Sequence, residues 1–275
     1  LQYSKLFRSK YAAILNISAD HLERHKNIKN YIKIKSRIFL AQNNSDYSYV
    51  NARNKYSKYI KNLFKSQKIK SRLILINRAS CHSLLKKIKN KYFTSIGNIE
   101  NLSFAYKIAQ DLKISNKIII KALNKFKGLP HRQEVIFSSK KILCINDSKA
   151  TSFDASLQSL LNYNKIYWIV GGIPKFKDQF YLKKVRDKIL KAYIVGKNIP
   201  FFRKQIGKNI PYKVSKNIRN AVNNIYKEIE LKGDSQSTIL LSPAAASFDQ
   251  FSNFENRGIH FKNLINRKFK QKSNV

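Results

Sequence analysis

Beyond Lys127-Gly-Leu-Pro-His-Arg132 the chain alternates apolar, β-leaning runs with helical stretches. This alternation limits the fold more than any other feature. Gly128 can end a helix and Pro130 cannot continue one, so a domain boundary is expected between residues 1–127 and 128–275. Strands are expected at Lys141–Ile145, Ile166–Val170, Ala192–Val195 and Thr238–Leu241, with a weaker one near Tyr212–Val214. Helices are expected between them, including Phe180–Leu190 and Asn217–Leu231. Parallel neighbours need a crossover, and the crossover is usually a helix. The pattern therefore implies an α/β fold with a mostly parallel, doubly wound sheet.

The first part is less regular. "YAAILNIS" (Tyr11–Ser18) and "SRLILINRA" (Ser71–Ala79) read as strands, and "NYIKIKSRIFLAQ" (Asn30–Gln42) as a helix. Asn98–Leu112 and Ser115–Phe126 read as two further helices, and residues 43–70 as polar, lysine-rich surface loop and helix. At 275 residues and 43% hydrophobic, the chain can bury one large or two medium cores. It has no apolar run long enough to span a bilayer and no signal-peptide pattern. Cys81 and Cys144 match no metal spacing, so a reducing cytoplasm is the simplest setting. The chain opens with Leu1 and contains no methionine, and is read as a fragment whose N-terminal part is missing.

The charge is extreme, with 55 Lys+Arg against 15 Asp+Glu, net +40. One reading is a nucleic-acid or anionic-membrane partner. The other is AT-rich coding, which enriches Lys, Asn, Ile, Tyr and Phe together. Lysine is spread along the whole chain and greatly outnumbers arginine, which supports the second reading and makes nucleic acid an unexpected partner.

Ligands of an open parallel sheet bind beyond the C-terminal ends of its strands. Three polar clusters hold that position: Asp147, Ser148, Lys149 and Thr151; Gly171-Gly-Ile-Pro-Lys175; and Ser242-Pro-Ala-Ala-Ala-Ser247. Thr151 or Ser152 can cap the next helix, and Asp154 fits a capping box with Thr151. The helix N-terminus and Lys149 then offer an anion site. A capped turn with a solvated lysine explains that turn equally well. Three such turns on one edge point to a carboxylate or phosphate site. The scarce acids Asp20, Glu23, Glu134, Asp147, Asp249 and Glu255 all lie beside a turn or motif. An acid at a strand end can bind a ribose hydroxyl or a metal, or balance local charge.

In "DHLERH", His21 and His25 are four apart, but Leu22 holds the place where a zincin carries its glutamate. The general base would point away from the metal face, which excludes a zinc protease. Spacing alone makes this a solvated or structural pair, with a divalent-metal contact through His21 or Asp20 as the alternative. No glycine-rich phosphate loop ending in Gly-Lys-Ser/Thr occurs.

Several strings, in order and along essentially the whole chain, resemble the Mur ligases: "YAAILNISADHLERH", "YIKIKSRIF", "GLPHRQEV", "NDSKAT", "GGIPK" and "LLSPAAASFDQFSNFENRG". The last is the most specific and matches the branch of the family that adds D-glutamate. The resemblance implies the later part of a central ATPase domain over residues 1–127, then a Rossmann-like C-terminal domain over 128–275. The family's UDP-binding domain and phosphate loop would be missing. It implies a monomer in the bacterial cytoplasm that joins D-glutamate to UDP-N-acetylmuramoyl-L-alanine for peptidoglycan. ATP and Mg²⁺ would be used, through an acyl phosphate. Without those parts the chain is expected not to turn over alone. A non-catalytic remnant and a basic nucleic-acid-binding protein are the alternatives.

By the same resemblance, His21 matches a Mg²⁺-binding histidine and Lys35 a lysine whose carbamate would supply an oxygen ligand. Asn98, Asn101, Arg132 and Asp147 match ATP contacts. Lys149, Thr151, Lys175, Ser247 and Phe254 match the D-glutamate pocket. The chain departs from the family pattern at Gly97, where a histidine is expected, and at Ile173-Pro174, where Asp-Gly is commoner. Residues 43–96 look abbreviated, and the charge is unusual for the family.

Overall fold

The structure is a computed structural model that describes residues 7–17, 22–176, 178–232 and 236–270. The chain divides into two compact units, Leu1–Lys127 and Gly128–Val275. No helix among the described residues is long and apolar enough to cross a membrane.

The first unit runs β1 (Tyr11–Ile14), α1 (Leu22–His25), α2 (Ile28–Ser36), β2 (Tyr47–Asn51), α3 (Ser57–Ser66), β3 (Arg72–Ile76), α4 (His82–Leu85), α5 (Ile96–Asp111) and α6 (Asn116–Lys125). Its sheet has the order β1-β2-β3, all parallel. Successive strand residues face opposite ways, so Val50 packs with Ile32 and Phe39, while Tyr49 packs with Phe104 of α5.

Residues 43–70 are therefore not all surface. They contain β2, the central strand of this sheet. Its polar residues hid it. Ser48 is fully buried, and its hydroxyl donates to Gln42 and pairs with Ser71 Oγ at 2.9 Å. Gln42 in turn donates to Ser9 O at 2.8 Å and Tyr47 O at 3.1 Å. A buried hydroxyl without partners would cost roughly 1–3 kcal/mol, and here every step of the relay has one.

The second unit runs β4 (Glu134–Ser138), β5 (Ile142–Asn146), α7 (Phe153–Asn162), β6 (Ile166–Gly171), β7 (Ile189–Val195), α8 (Ile199–Ile206), β8 (Tyr212–Lys216), α9 (Ile218–Lys232), β9 (Ser237–Leu241) and α10 (Phe254–Ile265). The sheet order is β4-β5-β9-β6-β7-β8, parallel except for the β4–β5 hairpin. From β5 the chain steps through β6 and β7 to β8, then returns to place β9 between β5 and β6. Right-handed crossovers put α7 and α8 on one face, and the reversal puts α9 and α10 on the other. Leu160, Trp168 and Phe202 centre the first core layer; Tyr167, Ile225 and Phe261 centre the second.

Two expectations are corrected here. β4 was not anticipated; it is a half-exposed edge strand with a bulge between Val135 and Phe137. Phe180–Leu190 is not a helix. It holds two 3₁₀ turns, Leu182–Lys184 and Arg186–Lys188, and the start of β7. Its apolar residues anchor singly instead of forming one face: Phe180 lies 4.8 Å from the Phe153 ring and 5.1 Å from Trp168. Val185 and Ile189 sink separately into the same core.

Candidate functional site

The strand order brings the three polar turns to one edge. β9 pairs in parallel with both β5 and β6, so the segments after these three strands are neighbours. The β6 and β9 turns are zipped by a two-way bridge: Ile173 N–H donates to Ala246 O and Ala246 N–H to Ile173 O, both at 2.9 Å. Gly172 has φ +135°, and a Cβ there would lie 2.3 Å from Ala246 O. The β5 and β9 turns are tied by Ser242 Oγ, which donates to Asp147 Oδ2 at 2.9 Å.

Asp147 is buried, and its carboxylate also accepts from Ser159 Oγ of α7 and from Gln133 N–H at 3.2 Å. Burial pushes its carboxyl up to about 6, against the pull of Ser159, Ser242, the Gln133 N–H and the Arg132 charge. Unfolded, it titrates near 3.8. Between these values the folded protein keeps a proton that the unfolded chain has lost. Its contribution is present below the unfolded value and is lost as pH rises through about 6. Asp147→Asn is expected to remove this part of the slope, about 3 kcal/mol across the window. Urea unfolding of both proteins across that range checks it; parallel curves would sink the assignment.

Arg257, on the second turn of α10, is the one lysine or arginine buried among the described residues. Its guanidinium donates to Ser148 Oγ at 3.0 Å, Ser148 O at 2.7 Å and Ala245 O at 3.0 Å. Ser148 Oγ donates onward to Phe254 O at 2.8 Å. Burial lowers the guanidinium to about 10, with the Asp249 charge opposing, so it stays protonated at neutral pH. Beside it, the Asn146 amide donates to His131 Nδ1 at 3.0 Å and Gly258 O at 3.2 Å. A Cβ on Gly258 would lie 2.2 Å from His131 Nδ1, so the Gly-Leu-Pro-His turn can seat against α10 only at a glycine.

The residues expected to bind D-glutamate lie along this edge. Lys149 is half-buried, with Nζ 3.7 Å from the Phe254 ring centroid. Thr151 and Lys175 are half-buried and Ser247 is buried. Arg132 is exposed. The expected capping box does not form. Ser152, not Thr151, caps α7, accepting from Ala155 N–H, and Asp178 takes the Phe153 N–H at 2.9 Å. With these N–H groups occupied, positive charge for an anion comes chiefly from lysine side chains, not from the helix end.

In the first unit, Asn98 and Asn101 lie near the start of α5. Asn98 donates to Tyr92 O at 2.7 Å and Asn101 is exposed. A Cβ on Gly97 would meet nothing within 4 Å, so the departure there leaves no packing defect. Lys35 is exposed on α2, its Nζ 5.4 Å from the Tyr31 ring centroid. His21 and Asp20 lie outside the described residues. Among the described residues no group of three or more His, Cys, Asp or Glu could hold a metal ion. An unmodified lysine has donors only. The described residues thus do not fit a divalent cation as they stand.

Sequence reasoning missed Arg257 and gave Asn146 and Ser242 no separate role, although all sit inside or beside the strings that carried the resemblance. The available signal was an arginine followed by glycine within a helix, three residues after a phenylalanine.

The Mur ligase middle domain matches residues 1–119. The chain is 32% identical over 281 residues to the UDP-N-acetylmuramoylalanine–D-glutamate ligase of Rickettsia felis, covering 97% of this chain and 63% of the relative. It is 34% identical over 281 residues to the enzyme of that name from Rickettsia prowazekii, with the same coverage, 97% and 63%. The chain thus spans less than two thirds of these relatives. Among solved structures, MurF from Acinetobacter baumannii matches with TM-score 0.63 and 16% identity, over 93% of this chain and 60% of that one. A folylpolyglutamate synthase/dihydrofolate synthase from Yersinia pestis, complexed with AMPPNP and Mn ion, matches with TM-score 0.58 and 13% identity, over 94% and 61%. At such identities the structural likeness speaks for the fold alone. The family-model match over residues 1–119 and the sequence relatives show that this chain belongs to the Mur ligase family.

Proposed function

We propose that the second unit supplies the D-glutamate contacts of an ATP-dependent ligase that joins D-glutamate to UDP-N-acetylmuramoyl-L-alanine in peptidoglycan precursor synthesis. The observation that carries this reading is the braced edge, where Lys149, Thr151, Lys175 and Ser247 stand on three interlocked turns. D-Glutamate carries two carboxylates, and two lysines with two hydroxyls match that demand. The Phe254 ring restrains the Lys149 ammonium, so less freedom is lost when it meets an anion.

ATP would activate the substrate carboxylate as an acyl phosphate, because a carboxylate is a poor acyl donor. Arg132, exposed, suits a phosphate oxygen. Among the described residues Asp147 Oδ1 accepts from Gln133 N–H, while both hydroxyls bond Oδ2, which leaves Oδ1 capacity for a ribose hydroxyl. Asn98 and Asn101 are proposed adenine contacts of the first unit. Lys35, as a carbamate, and His21 are the proposed metal ligands, and no step is assigned to that metal.

Ligand-observed NMR on the full chain tests the reading. D-Glutamate is expected to bind in preference to L-glutamate, and added KCl to weaken it only moderately. Equal binding of the two enantiomers, or no binding together with steeply salt-dependent nucleic-acid binding, would overturn it.

A further inference from the structure

Among the described residues Arg257 donates to none of the residues assigned to substrate, yet its buried side chain makes three hydrogen bonds at the edge. Its Nε and one Nη donate to Ser148 in the β5 turn. The same Nη donates to Ala245 in the β9 turn. Ser148 directly precedes Lys149, and Ala245 lies two residues before Ser247. Phe254, whose ring carries the Lys149 ammonium, stands one helical turn before Arg257 and accepts Ser148 Oγ through its carbonyl. One buried cation thus holds together the backbone of two turns and the start of α10.

A guanidinium at 3% exposure is costly to bury, and among the described residues no carboxylate is bonded to it. Hydrophobic packing alone would be satisfied by methionine. What methionine cannot do is donate three directed hydrogen bonds across two loops. The two turns also have a second link, Ser242 Oγ to Asp147, but it lies at the strand ends, not beside Lys149 or Ser247.

We propose that Arg257 is the positioning residue of the D-glutamate site, locking the β5 turn to the β9 turn so that Lys149 and Ser247 are presented together. This rests on the D-glutamate reading of the edge. Lysine at the position keeps a cation but loses the fork, and Ser148→Ala removes the hydroxyl relay while leaving the arginine in place.

Hydrogen–deuterium exchange on the full chain, with Arg257→Lys and Ser148→Ala, tests the lock. Arg257→Lys is expected to raise exchange together at residues 147–151 and 242–247, with β7 and β8 unchanged. Ser148→Ala is expected to do so more weakly. In both variants D-glutamate affinity falls, about tenfold for Arg257→Lys. If only one turn loosens, or if exchange rises throughout the unit, the lock is wrong. If both turns loosen and D-glutamate affinity is unchanged, the positioning role is wrong. If the unaltered chain fails to prefer D-glutamate, the functional reading fails, while the exchange pattern still decides the lock.

Discussion

Gly172→Ala is expected to cost about 3–4 kcal/mol and to uncouple the β6 turn from the β9 turn. Two terms add. At φ +135° an L side chain is strained wherever it sits, and the new Cβ would fall 2.3 Å from Ala246 O. That oxygen is backbone, held by the Ile173 N–H at 2.9 Å, so it cannot swing aside without opening the bridge. The variant should therefore lose stability and the alignment of Lys175 with Ser247 at once. Gly97→Ala is the internal control. Its Cβ would meet nothing within 4 Å in the first turn of α5, and alanine has the higher helix propensity. Urea unfolding of both variants checks the pair. A Gly172→Ala protein as stable as the parent would mean that the bridge is looser than its geometry states.

The second large effect is on binding. Lys149→Met is expected to weaken D-glutamate about a hundredfold, about 2.7 kcal/mol, while leaving thermal stability nearly unchanged. The two outcomes separate because the Lys149 ammonium contacts the Phe254 ring and no protein carboxylate is bonded to it among the described residues. Methionine preserves the contact with the aromatic face. It leaves a substrate carboxylate without its cation. Calorimetric titration with D-glutamate, alongside thermal unfolding, measures both. Unchanged affinity would remove Lys149 from the site; a large drop in stability would make it structural.

Much of the second unit was legible because its central strands are covered on both faces. All six residues of β6 and all five of β9 are buried, so β6 reads as an almost continuous apolar run and β9 as Thr238 followed by three apolar residues. β2 and β4 were not legible, for opposite reasons. β2 is central but carries Ser48, whose burial depends on Gln42 and Ser71. β4 is an edge strand, with Val135 exposed and Ile136 buried. Phe180–Leu190 has helical composition, yet each apolar residue finds a separate anchor.

The sequence by itself determined that this chain builds a parallel α/β unit beyond Gly128, that polar turns follow its strands, and which family those turns resemble. Those properties are local: hydrophobic periods, breakers and short strings. Only the tertiary structure decided that β9 inserts between β5 and β6, so that three turns distant in sequence share one edge. It alone showed that the end of α7 is already capped, that Asp147 is buried among hydroxyls, and that Arg257 braces two loops. Burial and directed hydrogen bonds between segments depend on strand order, and strand order is set by how whole faces pack, not by any one stretch of residues.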